Sequence, residues 1–157
     1  MTGDHDDDAV YGGIPMGSND PMSEGRTMQA QPGRIELSLP ASSRYMRLAR
    51  LMASGVATSS GLPLEEVEDF RIAVDELCST LIEMGEGQPI HLSFEMAQDA
   101  LVVHATTPTT RTAAIDDERL TLSRQILDVV TDGHDLVHRD GLVEFTARKD
   151  VRGGGTG

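Results

Sequence analysis

Four polar side chains within the stretch VEDFRIAVDELCSTLIEMG are spaced so that an α-helix would carry them in one row. They are Asp69, Glu76, Thr80 and Glu83, which follow one another at steps of seven, four and three residues. Carboxylates and hydroxyls are groups that hold water, metal ions or other hydroxyls through charge and hydrogen bonds. What this row contacts is therefore the first question about function.

The helix that positions the row is predicted from its apolar residues. They recur at three- and four-residue spacing and comprise Leu64, Val67, Phe70, Val74, Leu77, Cys78 and Leu81, with Ile72, Ala73 and Ile82 widening the stripe. An α-helix this apolar is expected to press against a sheet on one side and against a neighbouring helix on the other. The polar row would then occupy a narrow strip between buried faces.

The run RIAVDELCSTLIEMG resembles the N-box helix of the histidine-kinase-like ATPases, specifically that of the RsbW-type anti-sigma factors of bacteria, which reads approximately LxxAVxEAVTNAxxHG. The matching residues are Ile72, Ala73, Val74, Glu76, Ser79 and Gly85. The resemblance implies that Glu76 orients a water or a hydroxyl near nucleotide phosphates. The family's magnesium-binding asparagine falls on Thr80 and its histidine on Met84, and neither replacement keeps the original ligand chemistry.

The glycine-rich boxes that the resemblance leads one to expect are absent. After the second strand of the family's hairpin, an Asp-x-Gly-x-Gly motif is replaced by Ala105–Thr110, ATTPTT, and the second box is replaced by Leu120–Arg124, LTLSR. Without these glycines the backbone cannot approach phosphates closely. The resemblance thus implies a vestigial pocket that holds neither nucleotide nor metal. Its residues would be Glu76, Thr80, Thr106, Thr121 and Ser123.

The rest of the chain fits one α/β domain over residues 34–150. We predict a strand at 34–39, a helix from Ser42 or Ser43 to Thr58, a β-hairpin from 90 to 103, a helix from Asp116 or Asp117 to Val130, and a hairpin around Asp140 and Gly141. The buried side of the first helix is predicted to comprise Tyr45, Leu48, Ala49, Met52 and Val56. This order matches the two-layer sandwich of the histidine-kinase-like ATPase fold: a mixed, mostly antiparallel sheet covered on one face by about three helices.

Composition sets the ends of the domain and the class of partner. Residues 1–33 are rich in Gly, Pro, Ser and Asp and are predicted to be a disordered acidic tail, with a flexible end at 151–157. The formal net charge of −13 argues against direct nucleic-acid binding and suits a basic partner.

No apolar run is long enough to span a membrane, and the acidic N-terminus is unlike a secretory signal. The lone Cys78 is consistent with a reducing cytoplasm.

Three arginines at three-residue steps, Arg44, Arg47 and Arg50, are a local exception in this acidic chain. The resemblance implies a role for them: in the family the first helix and the adjoining strand grip a sigma factor, commonly across a homodimer. Aligning the Ala-Arg pair of that helix places the charged contact on Arg50, with Arg47 and Arg44 beside it. An anti-anti-sigma factor would release the sigma factor by competing for an overlapping surface. Solvated surface arginines are the plain alternative.

The sequence is also compatible with two other functions. The first is an ATP- and magnesium-dependent serine kinase that phosphorylates the anti-anti-sigma antagonist, with Glu76 assisting the substrate hydroxyl. The second is an acidic decoy for a DNA-binding protein, which would require the tail at 1–33. A metal site at His134 and His138 with Asp132 or Asp140 is a weaker prediction, because two histidines near a turn are usually plain surface residues.

Overall fold

The computed structural model describes residues 33–97, 99–111 and 117–152. The elements follow the predicted order. They are β1 (Arg34–Leu39), a 3-10 turn (Ser43–Tyr45), α1 (Met46–Ser59), α2 (Leu64–Met84), β2 (Ile90–Met96), β3 (Ala100–Pro108), α3 (Asp117–Val130), β4 (Gly133–Arg139) and β5 (Leu142–Asp150). The predicted tail at 1–33, apart from Gly33, and residues 153–157 of the predicted C-terminal end lie outside these ranges.

The five strands form one sheet in the order β1-β2-β3-β5-β4. Each of the four strand pairs is antiparallel, so the predicted sandwich is confirmed, while the sheet is wholly antiparallel rather than mixed. The β4–β5 hairpin turns at Asp140 and Gly141, whose φ angles of 53° and 73° are both positive, as a type I′ turn requires.

The helices cover one face of the sheet. This is seen in the central strands, where buried and more exposed residues alternate. Leu101, Val103 and Ala105 of β3 point into the core, while Val102 and His104 point to the other face. The Phe70 ring of α2 meets the Phe94 ring of β2 edge to face, with their centroids 6.2 Å apart. α2 is thus the helix that joins the sheet to the other two helices.

α1 packs against α2 through small residues. Ala49, Ala53 and Ala57 recur every four residues and are fully buried, which lets the two helices lie close together. The prediction that Leu48 is buried was therefore wrong: the alanines form the inner face, and Leu48 lies on the outer face with 47% of its surface exposed.

Two residues assigned to the apolar stripe of α2 are also exposed. Leu64 begins the helix with 77% of its surface exposed, and Ile72 is 42% exposed on the side away from the sheet. Helical spacing correctly identified which residues share a face of α2. The predicted apolar stripe was nevertheless wider than the surface that the sheet and α1 cover.

Candidate functional site

The polar row of α2 does not act as one unit, because its two ends are held in ion pairs. Asp69 Oδ2 accepts a hydrogen bond from Lys149 Nζ at 3.1 Å, and the same ammonium donates to the Val130 carbonyl at 3.3 Å. At the other end Glu83 lies 3.2 Å from Arg119 of α3. Lys149 is 7% exposed, so the Asp69 pair fastens α2 to β5 and to the end of α3. Asp69 and Glu83 therefore hold α2 against its neighbouring elements.

Thr80 and Ser123 face each other between α2 and α3. Their hydroxyl oxygens lie 3.2 Å apart in a hydrogen bond, and each side chain is 1% exposed. We call this contact the α2–α3 seam. The resemblance places the magnesium ligand at Thr80 and the second glycine-rich box around Ser123, so two residues expected to line a pocket instead satisfy each other.

The segment after β3 fastens itself to the end of α2. Thr107 Oγ1 donates to the Pro89 carbonyl at 3.0 Å, and Thr109 Oγ1 donates to the Met84 carbonyl at 2.9 Å. A Cβ atom at Gly85 would lie 2.5 Å from Thr107 Oγ1, so only glycine permits this approach. The place expected to carry flexible glycines is therefore a closed junction, which we call the threonine junction.

Next to the threonine junction, Thr110 and Glu86 form exposed hydrogen bonds. The Thr110 hydroxyl and amide both donate to the Glu86 carboxylate, and these hydrogen bonds, from the hydroxyl above all, lower the pKa of Glu86. From the sequence, these threonines were expected to replace the first glycine-rich box of the family. The alternation of β3 was the signal that Thr107 points inward while Thr106 points outward, to the face of the sheet that the helices do not cover. Residues 112–116, which follow this segment, lie outside the described ranges.

The remaining residues of the predicted pocket are therefore dispersed. Thr106 lines a cavity with His91 and His104 on the uncovered face of the sheet, and Thr121 is exposed on α3. Neither lies at the α2–α3 seam. The resemblance placed the five predicted pocket residues together, and in the structure Thr80 and Ser123 contact each other.

Glu76 lies in a cleft on the outer side of the helix layer. This charged cleft has a volume of about 350 Å³ and is lined by Arg50, Arg71, Ile72, Asp75, Glu76 and Ile126. Glu76 is half-buried, and its carboxylate makes no hydrogen bond or ion pair with the described residues. It is thus available to an incoming polar group.

Arg50 is the one predicted partner-binding arginine that enters the charged cleft. Its Nε donates to Asp75 Oδ1 at 2.6 Å, and this hydrogen bond, together with the charge of Asp75, raises the pKa of the guanidinium. Arg44 and Arg47 are exposed, and the Arg44 guanidinium carbon lies 6.0 Å from the Tyr45 ring centre. The three arginines therefore point to more than one side of the first helix.

A larger cavity lies on the opposite side of α1, where the helix meets β1. This apolar groove has a volume of about 640 Å³ and is lined by Gly33, Ile35, Leu37, Leu48, Leu51, Met52, Gly55, Val56, Ser59, Ser60 and Met96. Leu51 is 61% exposed and Ile35 is 41% exposed. This groove was not predicted from the sequence. The signal for it was two leucines of α1 and two apolar residues of β1 that no predicted element covers.

Metal binding and membrane spanning find no support in the described ranges. His134 Nε2 lies 2.8 Å from Asp128 Oδ1, and His138 is exposed. No group of three or more His, Cys, Asp or Glu side chains there is arranged to hold a metal ion. None of the helices described between residues 33 and 152 is both long and apolar enough to cross a membrane.

Comparison with known proteins identifies similar chains. The model of the histidine kinase-like ATPase domain matches residues 39–132. The chain is 35% identical over 78 residues to the serine-protein kinase RsbW of Halalkalibacterium halodurans, covering 48% of each protein. It is 35% identical over 81 residues to that of Staphylococcus epidermidis, covering 48% of this chain and 51% of the relative. The chain thus matches about half the length of these curated relatives.

A solved structure shares the fold. One chain of the SiaB-SiaC complex from Pseudomonas aeruginosa aligns with a TM-score of 0.53 at 14% identity. The alignment covers 74% of this chain and 89% of that chain. At this identity the likeness concerns the arrangement of strands and helices alone.

Proposed function

This chain belongs to the histidine kinase-like ATPase domain family, and from that premise we propose that it is an anti-sigma factor. It would bind an alternative sigma factor of RNA polymerase, keep it from the polymerase, and lose it to an anti-anti-sigma antagonist that competes for an overlapping surface. The support is its similarity to RsbW proteins and the open surface beside α1. As a partner of a sigma factor it would act in the cytoplasm, and we expect it to be a homodimer.

The observation that carries the proposal is the apolar groove between α1 and β1. A contiguous apolar surface of this kind is rare on soluble monomers unless a protein or ligand covers it. β1 is an edge strand of the sheet that the described residues form, so one side of its backbone has no strand partner among them. A groove next to an open strand edge suits a protein partner that supplies apolar side chains and an extended segment.

Arg44 in the 3-10 turn and Arg47 in α1 add charge beside this surface, while Arg50 lies across α1 at the charged cleft. Arg44 precedes Leu48 by four residues and Arg47 precedes Leu51 by four, so each arginine lies one helical turn from a leucine of the groove. A guanidinium can hold a carboxylate through two hydrogen bonds, which fixes orientation as well as attraction. We therefore propose Arg44, Arg47 and Arg50 as partner-binding residues, with acidic side chains of the sigma factor as their targets.

We also propose that inhibition works without ATP and without a metal ion. The hydrogen bond of the α2–α3 seam and the threonine junction support this, because both fill space that the family uses for nucleotide. Release would then depend on competition between protein surfaces, without phosphorylation of the antagonist.

The test is a binding assay with the cell's alternative sigma factors, purified and presented one at a time. The wild-type chain is expected to retain one of them, and Arg50→Glu is expected to lose it, because a carboxylate would replace the guanidinium. Arg124→Glu on α3, which makes the same charge change away from α1, is expected to retain it. Failure of the wild type to bind any sigma factor would refute the proposal.

A second candidate function is an ATP-dependent serine kinase that phosphorylates the antagonist. Glu76 favours it, since this half-buried carboxylate has no partner within the described residues and sits where the family's catalytic glutamate would. The relatives' name, serine-protein kinase, also favours it. The discriminating assay follows transfer of labelled phosphate from ATP to a co-purified antagonist: transfer that Glu76→Ala abolishes would establish the kinase and refute the ATP-free mechanism.

A further inference from the structure

The ion pair between Arg50 and Asp75 crosses from α1 to α2 at the charged cleft. The side chains of Arg50 and Asp75 are 44% and 36% exposed, so a partner can reach both. Nε makes the one hydrogen bond of the guanidinium within the described residues, which leaves its terminal nitrogens available. Asp75 therefore occupies one edge of the Arg50 guanidinium. The proposed function assigns this same guanidinium to a carboxylate of the partner.

Asp75 has a second cation within reach. Arg71 lies four residues earlier on α2 and lines the same cleft, and i, i+4 pairs of opposite charge are neighbours on a helix surface. In the structure Arg71 instead holds Glu68, three residues before it. Asp75 can therefore leave Arg50 and still find a guanidinium, without either charge being buried alone.

We propose that Asp75 is an internal competitor for Arg50 and sets the affinity for the sigma factor. This inference rests on the proposed function. When a carboxylate of the partner takes the guanidinium, Asp75 turns to Arg71, which it must share with Glu68. This contact recovers only part of the Arg50–Asp75 pair, so the presence of Asp75 lowers the affinity. A partner that offers no carboxylate at this point leaves the Arg50–Asp75 pair intact and gains nothing from it, so the exchange favours acidic partners over neutral ones.

The test measures affinity for the sigma factor that the wild type retains. Asp75→Asn keeps the size of the side chain and removes its charge, so binding is expected to tighten by about two- to fivefold, the range of an exposed ion pair. Arg71→Gln removes the second cation, so binding is expected to weaken by a similar factor. Glu65→Gln, which removes one negative charge from the first turn of α2 outside the cleft, is the matched control and is expected to change little.

A double variant separates competition from structural support. With Arg50→Gln in the background, Asp75→Asn is expected to leave the affinity unchanged, because no guanidinium remains to be released. Weaker or unchanged binding of Asp75→Asn alone, with normal binding by the wild type, would overturn this inference and leave the proposed function standing. A wild type that binds no sigma factor would overturn both.

Discussion

The α2–α3 seam and the apolar groove lie in one helix layer and differ in what fills them. At the seam, two hydroxyls are buried and bonded to each other, and the adjoining threonine junction closes over the end of α2. At the groove, leucines of α1 and Ile35 of β1 face outward with nothing from the described residues covering them. Side chains meet at the seam, whereas no described residue covers the groove. This difference is the basis for proposing that a protein partner binds beside α1 and not at the seam.

The largest expected effect concerns the groove. Leu51→Asp puts a charge in its centre and is expected to weaken sigma-factor binding by about 2–4 kcal/mol, the cost typical of losing an interface anchor. Because Leu51 is exposed, the unfolding midpoint should change little. Val129→Asp is the matched control, since Val129 is an exposed apolar residue of α3 that does not line the groove.

Filling the groove gives an independent version of the same test. A Cβ atom at Gly55 meets nothing within 4 Å, so Gly55→Leu fits without strain and replaces a helix-interior glycine. It is expected to block the sigma factor while keeping or raising stability in urea unfolding. A variant that binds as well as the wild type would place the partner elsewhere on the molecule.

At the threonine junction, Gly85→Ala is expected to lower the free energy of unfolding by about 2–3 kcal/mol, because the new methyl group overlaps Thr107 Oγ1. Combining it with Thr107→Ala should recover part of the loss. Urea unfolding of the two variants measures both effects. A free energy of unfolding for Gly85→Ala equal to that of the wild type would show that Thr107 does not pack tightly against Gly85.

At the seam, Thr80→Val keeps the side-chain shape and leaves the Ser123 hydroxyl buried without its partner. The expected loss of stability is about 1–2 kcal/mol. The double variant Thr80→Val with Ser123→Ala should cost less than the sum of the single variants. Additive losses would mean that the two hydroxyls do not depend on each other.

The effect that is smallest at neutral pH concerns Cys78, on the buried face of α2. Cys78 is fully buried there, and burial raises the pKa of its thiol to about 12. A thiol that holds its proton more tightly when folded stabilises the fold below its unfolded pKa, near 9, and loses that contribution as pH rises towards 12. Stability should therefore fall more steeply between pH 9 and 12 in the wild type than in Cys78→Ala, as measured by urea unfolding at each pH.

The sequence predicted the fold better than the surfaces. Alternation in β2 and the Asp140–Gly141 turn identified strands and hairpins because these signals are local. The motif in α2 led to the RsbW-type resemblance, which the family match and the relatives confirm. The position of Leu48 could not be predicted, because helical spacing does not say which neighbour covers each face. The alanines of α1 decided that outcome by packing closely on α2.

The site was predicted only in part for a related reason. The missing glycines were visible in the sequence, but the contact of Thr80 with Ser123 was not. Which groups fill that space depends on side chains from distant segments, such as Thr109 reaching the Met84 carbonyl. Likewise, the pairing of Arg50 with Asp75 depends on how α1 is placed beside α2, which spacing along one helix does not give.

The central claim, that the nucleotide region is closed and the protein-binding groove is open, is tested most directly by calorimetric titration of the full chain with Mg-ATP. We expect no saturable heat at millimolar nucleotide, for the wild type and for Thr80→Ala alike. Saturable binding by the wild type that Glu76→Ala and Thr80→Ala both abolish would contradict the claim, because it would require α2 and α3 to part around a bound nucleotide.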